Sequence, residues 1–199
     1  DSITLYGPYG TTTVFSPSSS DGLFIDLVFT DANATGVNYI GSTGRESYIG
    51  TTLDDYLQGL GGGDGLVGGD GNDILDGRGG SPTPDYLFGV AGDDTYYADG
   101  YFYGVGIIDV VIERPGEGID TVISESDFDI GQRYVFNTNL SNYYYLGSNY
   151  TAIENLTLVG TAVSGAGNEL NNVLTANDSD NYLDGDGGSD TLIGGAGND

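Results

Sequence analysis

Cysteine, histidine, methionine, tryptophan and lysine are all missing from this chain of 199 residues, and four arginines are its whole basic complement. Without cysteine there is no disulfide and no thiolate nucleophile. Without histidine or lysine there is no imidazole base and no amine for a Schiff base. Thirty acidic residues face the four arginines, a formal charge of −26, which argues against nucleic acid or an anionic membrane as a partner. No apolar run is long enough to cross a bilayer as a helix, so membrane insertion is not expected. The Gly-x-Ser-x-Gly elbow is absent too. Paired carboxylates alone can hydrolyse glycosides, but the acidic residues here follow a spacing that accounts for them without catalysis, and no enzyme activity is expected.

What the chain does have is glycine, 36 residues of it, placed at intervals. Around Gly68-Gly69-Asp70-Gly71-Asn72-Asp73-Ile74-Leu75-Asp76 the pattern returns every nine residues. Aligned on an acidic sixth place, the units run from Gly50 to Gln58 with Asp55, Gly59 to Val67 with Asp64, Gly68 to Asp76 with Asp73, and Gly89 to Tyr97 with Asp94. The unit after Gly77 stays in step if Pro82-Thr83-Pro84 is a three-residue insertion, which leaves Asp85 sixth and Leu87 eighth. The eighth place is then Leu57, Leu66, Leu75, Leu87 and Tyr96. A degenerate unit, Gly41 to Ile49, puts Glu46 and Tyr48 in the same two places.

A glycine-rich hexad can take the backbone of a tight turn, and three residues around one apolar side chain make a short strand with one inward face. Nine residues make half a coil and eighteen bring the chain back over itself. One unit cannot bury its single leucine alone, so the units must stack. Stacking sets Asp55 over Asp73 over Asp94 on one edge and Asp64 over Asp85 on the other, where Glu46 either reaches the Asp64 site from above or is simply solvated. Carboxylates that close repel unless a cation lies between them. Carboxylate oxygens with the carbonyls of open turns at Gly69, Gly71 and Gly92 suit Ca²⁺, several ions of it, rather than a transition metal. An acidic, glycine-rich composition also fits a disordered chain. The regular apolar eighth place points instead to disorder without calcium and folding with it.

The nonapeptide G-G-x-G-x-D-x-U-x resembles the calcium-binding repeat of the RTX (repeats-in-toxin) family, over residues 41–97 and again over 165–199. In the second block Gly167 to Thr175 carries Asn172 and Leu174, Ala176 to Asp184 carries Asn181 and Leu183, and Gly185 to Ile193 carries Asp190 and Leu192. Gly188 and Gly197 take the turn places there. Gly194 to Asp199 stops at its own sixth place, Asp199, and matches Gly89 to Asp94, so the chain is expected to continue beyond it. Asn172 and Asn181 are neutral oxygen ligands, and sites using them are expected to be weaker. The resemblance implies an all-β fold, a right-handed parallel β-roll with Ca²⁺ along each edge, in a protein exported by type I secretion. Thr51, Leu60 and Val90 depart from it by replacing the second glycine, and their turns are expected to bind weakly or distort.

Residues 1–40 are expected to cap the open end of the stack with strands at Thr11 to Phe15 and Leu23 to Phe29. Residues 98–164 resemble a spacer between nonapeptide blocks, with strands at 107–113, 120–124 and 153–159 and a turn at 114–118. These are expected to be further coils without full metal sites. Two aromatic clusters, Tyr101-Phe102-Tyr103 and Tyr143-Tyr144-Tyr145 with Tyr150 nearby, are expected on loops, where they either cover the solenoid or bind a glycan. Three tasks fit this organisation in a secreted, extracellular or cell-surface protein. One is a structural stalk, surface-layer or adhesin segment, another a non-catalytic module attached to a hydrolase or lyase, and the third a filament subunit joined end to end to copies of itself.

Overall fold

The structure, a computed structural model, describes residues 3–7, 10–14, 36–79, 83–100, 109–131, 134–137, 142–145 and 152–199. All regular structure among the described residues is strand. Eight short strands form one parallel sheet in the order Asn38–Ile40, Tyr56–Gln58, Ile74–Asp76, Thr95–Tyr97, Thr121–Ser124, Asn155–Leu158, Val173–Thr175 and Thr191–Ile193. Between them in the chain run the strands of two facing parallel sheets. One is Ser47–Ile49, Gly65–Asp70, Tyr86–Ala91 and Val110–Ile112, and the other is Phe128–Asp129, Ser164–Ala166 and Tyr182–Asp184. Alternation between the sheets along the chain, with every pairing parallel, makes a β-solenoid.

The register follows the nine-residue arithmetic. Leu57 pairs with Leu75 and Leu75 with Tyr96, while Tyr48 pairs with Leu66 and Leu66 with Leu87. The last of these pairs is offset by three extra residues, as expected from an insertion at Pro82-Thr83-Pro84, of which Pro82 lies outside the described residues. Because one residue in each three-residue strand faces inward, the core is a column of eighth places. Leu57, Leu66, Leu75, Leu87 and Tyr96 have no solvent exposure, nor do Val122, Leu156 and Leu174 further along. Each such side chain contributes on the order of 1.5–3 kcal/mol by leaving water. The column is contiguous, so no coil buries its residue without its neighbours. Tyr39 stacks flat on Tyr48 with ring centroids 4.1 Å apart. At the other end Tyr182, Leu192 and Ile193 stay exposed.

The expected strands of the spacer are present as Val110–Ile112, Thr121–Ser124 and Asn155–Leu158, and they continue the same sheets. Arg114 to Gly118 turns, with the Glu117 N–H donating to the Arg114 carbonyl at 3.3 Å. Two antiparallel hairpins stand apart from the parallel pattern, Ile3–Gly7 with Gly10–Val14 and Tyr134–Asn137 with Asn142–Tyr145. Tyr143, Tyr144 and Tyr145 therefore lie on a strand and not on a loop: their run of β-favouring aromatics pairs with Tyr134–Asn137. Of the other sequence expectations, Phe15, the run 23–29, the cluster 101–103 and Tyr150 lie outside the described residues.

Candidate metal centre

Each sixth-place side chain follows its turn and precedes a strand, so the sheet register stacks these side chains in columns. The N–H of Asp55 donates to Oδ1 of Asp73 at 2.7 Å, and that of Asp73 to Oδ1 of Asp94 at 2.7 Å. The column goes on beyond the repeat. Asp94 donates to Asp120 Oδ1 at 2.8 Å and Asp120 to Glu154 Oε2 at 2.9 Å. Asn172 donates to Asp190 Oδ1 at 2.9 Å in the last block. On the opposite edge Glu46 donates to Asp64 at 2.7 Å, Asp64 to Asp85, and Asp85 to Asp109 at 2.9 Å. Asn181 donates to Asp199 there at 3.0 Å. One oxygen of each pair's second member is thus committed to holding two coils in register.

The other oxygen folds back over the turn that leads to it. A Cβ built on Gly68 would stand 2.1 Å from Asp73 Oδ2, and one on Gly89 1.9 Å from Asp94 Oδ2. The first glycine is required for space. The second and fourth places are required for backbone: Gly69 and Gly71 have φ of 124° and 121°, and Gly92, Gly188 and Gly197 repeat the fourth-place geometry.

These second oxygens divide the turns into two kinds. Oδ2 of Asp64, Asp73 and Asp94 is buried with no hydrogen-bond partner. Burial pushes each of these carboxyls up from the ordinary aspartate range to about 7. The N–H received from the preceding coil opposes the rise, and the stacked acidic neighbours, Asp85 beside Asp64 and Asp55 beside Asp73, add to it. A buried unpartnered oxygen costs about 1–3 kcal/mol, more when charged. A hard divalent cation answers both the orphaned oxygen and the repulsion, and the all-oxygen donor set fits calcium. Other turns close on themselves. The Thr51 N–H and hydroxyl both donate to Asp55, the Ser42 N–H donates to Glu46 Oε2 at 2.8 Å, and the Asn168 N–H donates to Asn172 Oδ1 at 2.8 Å. Glu46 turns its carboxylate onto Ser42, which offers both an N–H and a hydroxyl within the same turn. Asn181 keeps a buried unpartnered Oδ1 while its amide donates to the Ala162 carbonyl at 3.1 Å.

The three departures from the second glycine do not behave alike. Leu60 and Val90 take φ of 66° and 91° and keep the left-handed turn, and Asp186 does so at 60°. Thr51 is not among the left-handed residues, and its turn is one of the closed ones.

Several structural residues escape the nine-residue spacing. Asp109, Glu113, Asp120 and Glu154 belong to the stack, and all but Glu154 are buried with under 4% exposure. Asp109-Val110-Val111, Asp120-Thr121-Val122 and Glu154-Asn155-Leu156 each repeat the acid–x–apolar triplet of Asp73-Ile74-Leu75. That triplet is the signal that finds Asp109, Asp120 and Glu154 once the fixed period is abandoned, and Glu113 lies outside it. A second ladder was also missed. Fifth-place side chains accept in the reverse direction, the Asn72 N–H donating to Asp54 at 2.8 Å and the Asp93 N–H to Asn72 at 2.8 Å. The rung continues from Ile119 to Asp93 at 2.9 Å.

Two arginines are engaged away from these columns: Arg78 pairs with Asp76 at 2.9 Å and lies 4.2 Å over the Tyr97 ring, and Arg114 pairs with Glu117 at 3.6 Å. No curated protein and no solved structure matches the chain. The family model described as the RTX calcium-binding nonapeptide repeat (4 copies) matches two segments, residues 49–84 and 166–199. Coil length, left-handed turn places, buried eighth-place column and stacked carboxylates agree with that match, and these two blocks are similar to the RTX calcium-binding repeat.

Proposed function

We propose that this chain is a calcium-dependent structural module of an exported or cell-surface protein, a stiff spacer of stalk, surface-layer or adhesin type. It takes its shape when external calcium fills the turns. The observation that carries this reading is the set of buried, unpartnered Oδ2 atoms on Asp64, Asp73 and Asp94. They stand in a chain with 30 acidic residues and four arginines. Such a stack does not offset its own charge, so the ion's binding energy is folding energy. Millimolar external calcium matches the affinity range of extracellular modules. The role is architectural and not catalytic, since the acidic groups serve coil stacking. Circular dichroism and small-angle scattering with calcium and after exhaustive chelation test the reading. At pH 8, where the buried aspartates are charged, strand signal and compactness are expected to appear only with calcium, and a chain equally compact in chelator at that pH rejects the reading.

A further inference from the structure

The stack changes character where the Gly89–Tyr97 coil meets the longer coil that follows. Phe88 pairs with Ile112, so the next residue, Glu113, stands against Gly89 in the place where a repeat has its first glycine. Its side chain has no solvent exposure. Oε1 accepts the Gly89 N–H at 3.1 Å, the Val90 N–H at 3.4 Å and the Tyr96 hydroxyl. Oε2 has no partner. Oδ2 of Asp94 and of Asp120 are buried and unpartnered beside it, and one oxygen from each of the three carboxylates lies within 4.8 Å of the others. Arg114, next in sequence, is turned outward to Glu117. Three buried carboxylates thus converge, each keeping an oxygen with no hydrogen-bond partner among the described residues.

We propose that Asp94, Glu113 and Asp120 form a calcium site of a second kind, built from three side-chain carboxylates at the join between the first repeat block and the coils that follow it. This rests on the calcium reading of the stack and adds to it a residue outside the repeat pattern. Two stacked aspartates supply two charges to an ion; this site supplies three, and affinity in oxygen-ligand sites rises with ligand charge. The lack of nitrogen or sulfur donors disfavours zinc, and the burial of all three carboxylates disfavours magnesium, which keeps several of its waters. The site therefore holds the most tightly bound ion of the chain. It fixes the coil after Ile112 onto the one before it, because Glu113 and Asp120 bracket the turn between them.

The test uses the full chain and two ions, calcium by calorimetry and terbium by tyrosine-sensitised luminescence, since the Tyr96 phenol touches the Glu113 carboxylate. Glu113→Gln keeps the shape and removes the charge, and Glu113→Gly restores the residue that the repeat itself has at this place. Circular dichroism in saturating calcium reports that both stay folded. Both variants are expected to lose at least about tenfold in affinity for the tightest calcium, with the weaker ions unchanged. Tyr96→Phe is expected to dim the emission of the first terbium bound, and this readout does not depend on a Glu113 variant folding. Unaltered affinity for the tightest ion in both Glu113 variants, or tighter binding, overturns this site alone. Absence of any calcium uptake by the wild-type chain overturns the calcium reading of the whole stack and this site with it.

Discussion

Gly68 and Asp73 share one space: a Cβ on the glycine would lie 2.1 Å from the aspartate's Oδ2 and 2.8 Å from its Cγ. The carboxylate cannot swing clear, because Oδ1 is held by the Asp55 N–H at 2.7 Å. Gly68→Ala is therefore expected to lower the stability of the calcium-loaded fold by about 1–3 kcal/mol, the usual cost of overpacking. It should also raise the calcium midpoint. Thermal unfolding in saturating calcium checks the first effect and calorimetry the second; an unchanged melting temperature rejects the crowding.

Asp55 and Asp73 are both sixth-place aspartates, but their second oxygens differ in state. Asp55 receives the Val37 N–H as well as both Thr51 donors, whereas Asp73 Oδ2 receives nothing. Asp73→Asn is expected to weaken at least one calcium by about tenfold, the charge being lost where it is used. Asp55→Asn should change calcium binding by far less. Equal losses in the two variants, measured by calorimetry, would show that the closed Thr51 turn opens to take an ion.

Protons compete with calcium for the same oxygens. Asp64, Asp73 and Asp94 titrate near 7 in the fold and near 3.8 when unfolded, so the fold binds protons where the unfolded chain does not. Stability from this source is fully present below the unfolded value and is lost as pH rises through about 7. In chelator, the chain is expected to gain strand signal and melting temperature between pH 8 and pH 5. With calcium, the midpoint should move to higher concentration as pH falls below about 7. A chelated chain whose melting does not respond to pH over this interval contradicts the burial of these groups.

Val90 holds φ of 91°, a left-handed conformation that a β-branched residue adopts at a cost of about 1–3 kcal/mol. Val90→Gly removes the strain and gives back some unfolded-state entropy. A net stabilisation of about 1 kcal/mol is expected from chemical denaturation in calcium, with Thr51→Gly giving no such gain, since Thr51 has no left-handed strain to relieve and loses two donors to Asp55.

The nine-residue period made the core legible in advance. Leu57, Leu66, Leu75, Leu87 and Tyr96 follow from counting, and so does the three-residue step at Pro82 to Pro84, because Asp85 and Leu87 reappear in phase after it. The period was blind where length varies. Glu113 replaces a glycine in a coil whose turn runs eight residues from Glu113 to Asp120, so the place it fills is visible only once Ile112 is paired with Phe88. The fate of Thr51 and Val90 was equally hidden. Both replace the second glycine, yet the threonine hydroxyl gives the turn's carboxylate a local partner and valine has none to give. The hairpin of Tyr134–Asn137 and Asn142–Tyr145 was missed because its aromatics show no period at all.

Adjacent members of a column are 18, 21, 24, 26 or 34 residues apart in the chain and still form the same rung. The paired strands keep their register across these steps, since one added residue within a strand would turn the inward side chain outward. Length is consequently free to vary between layers: a foreign segment inserted between two paired strands, as the 34-residue step already tolerates, is expected to leave the rungs on either side in register.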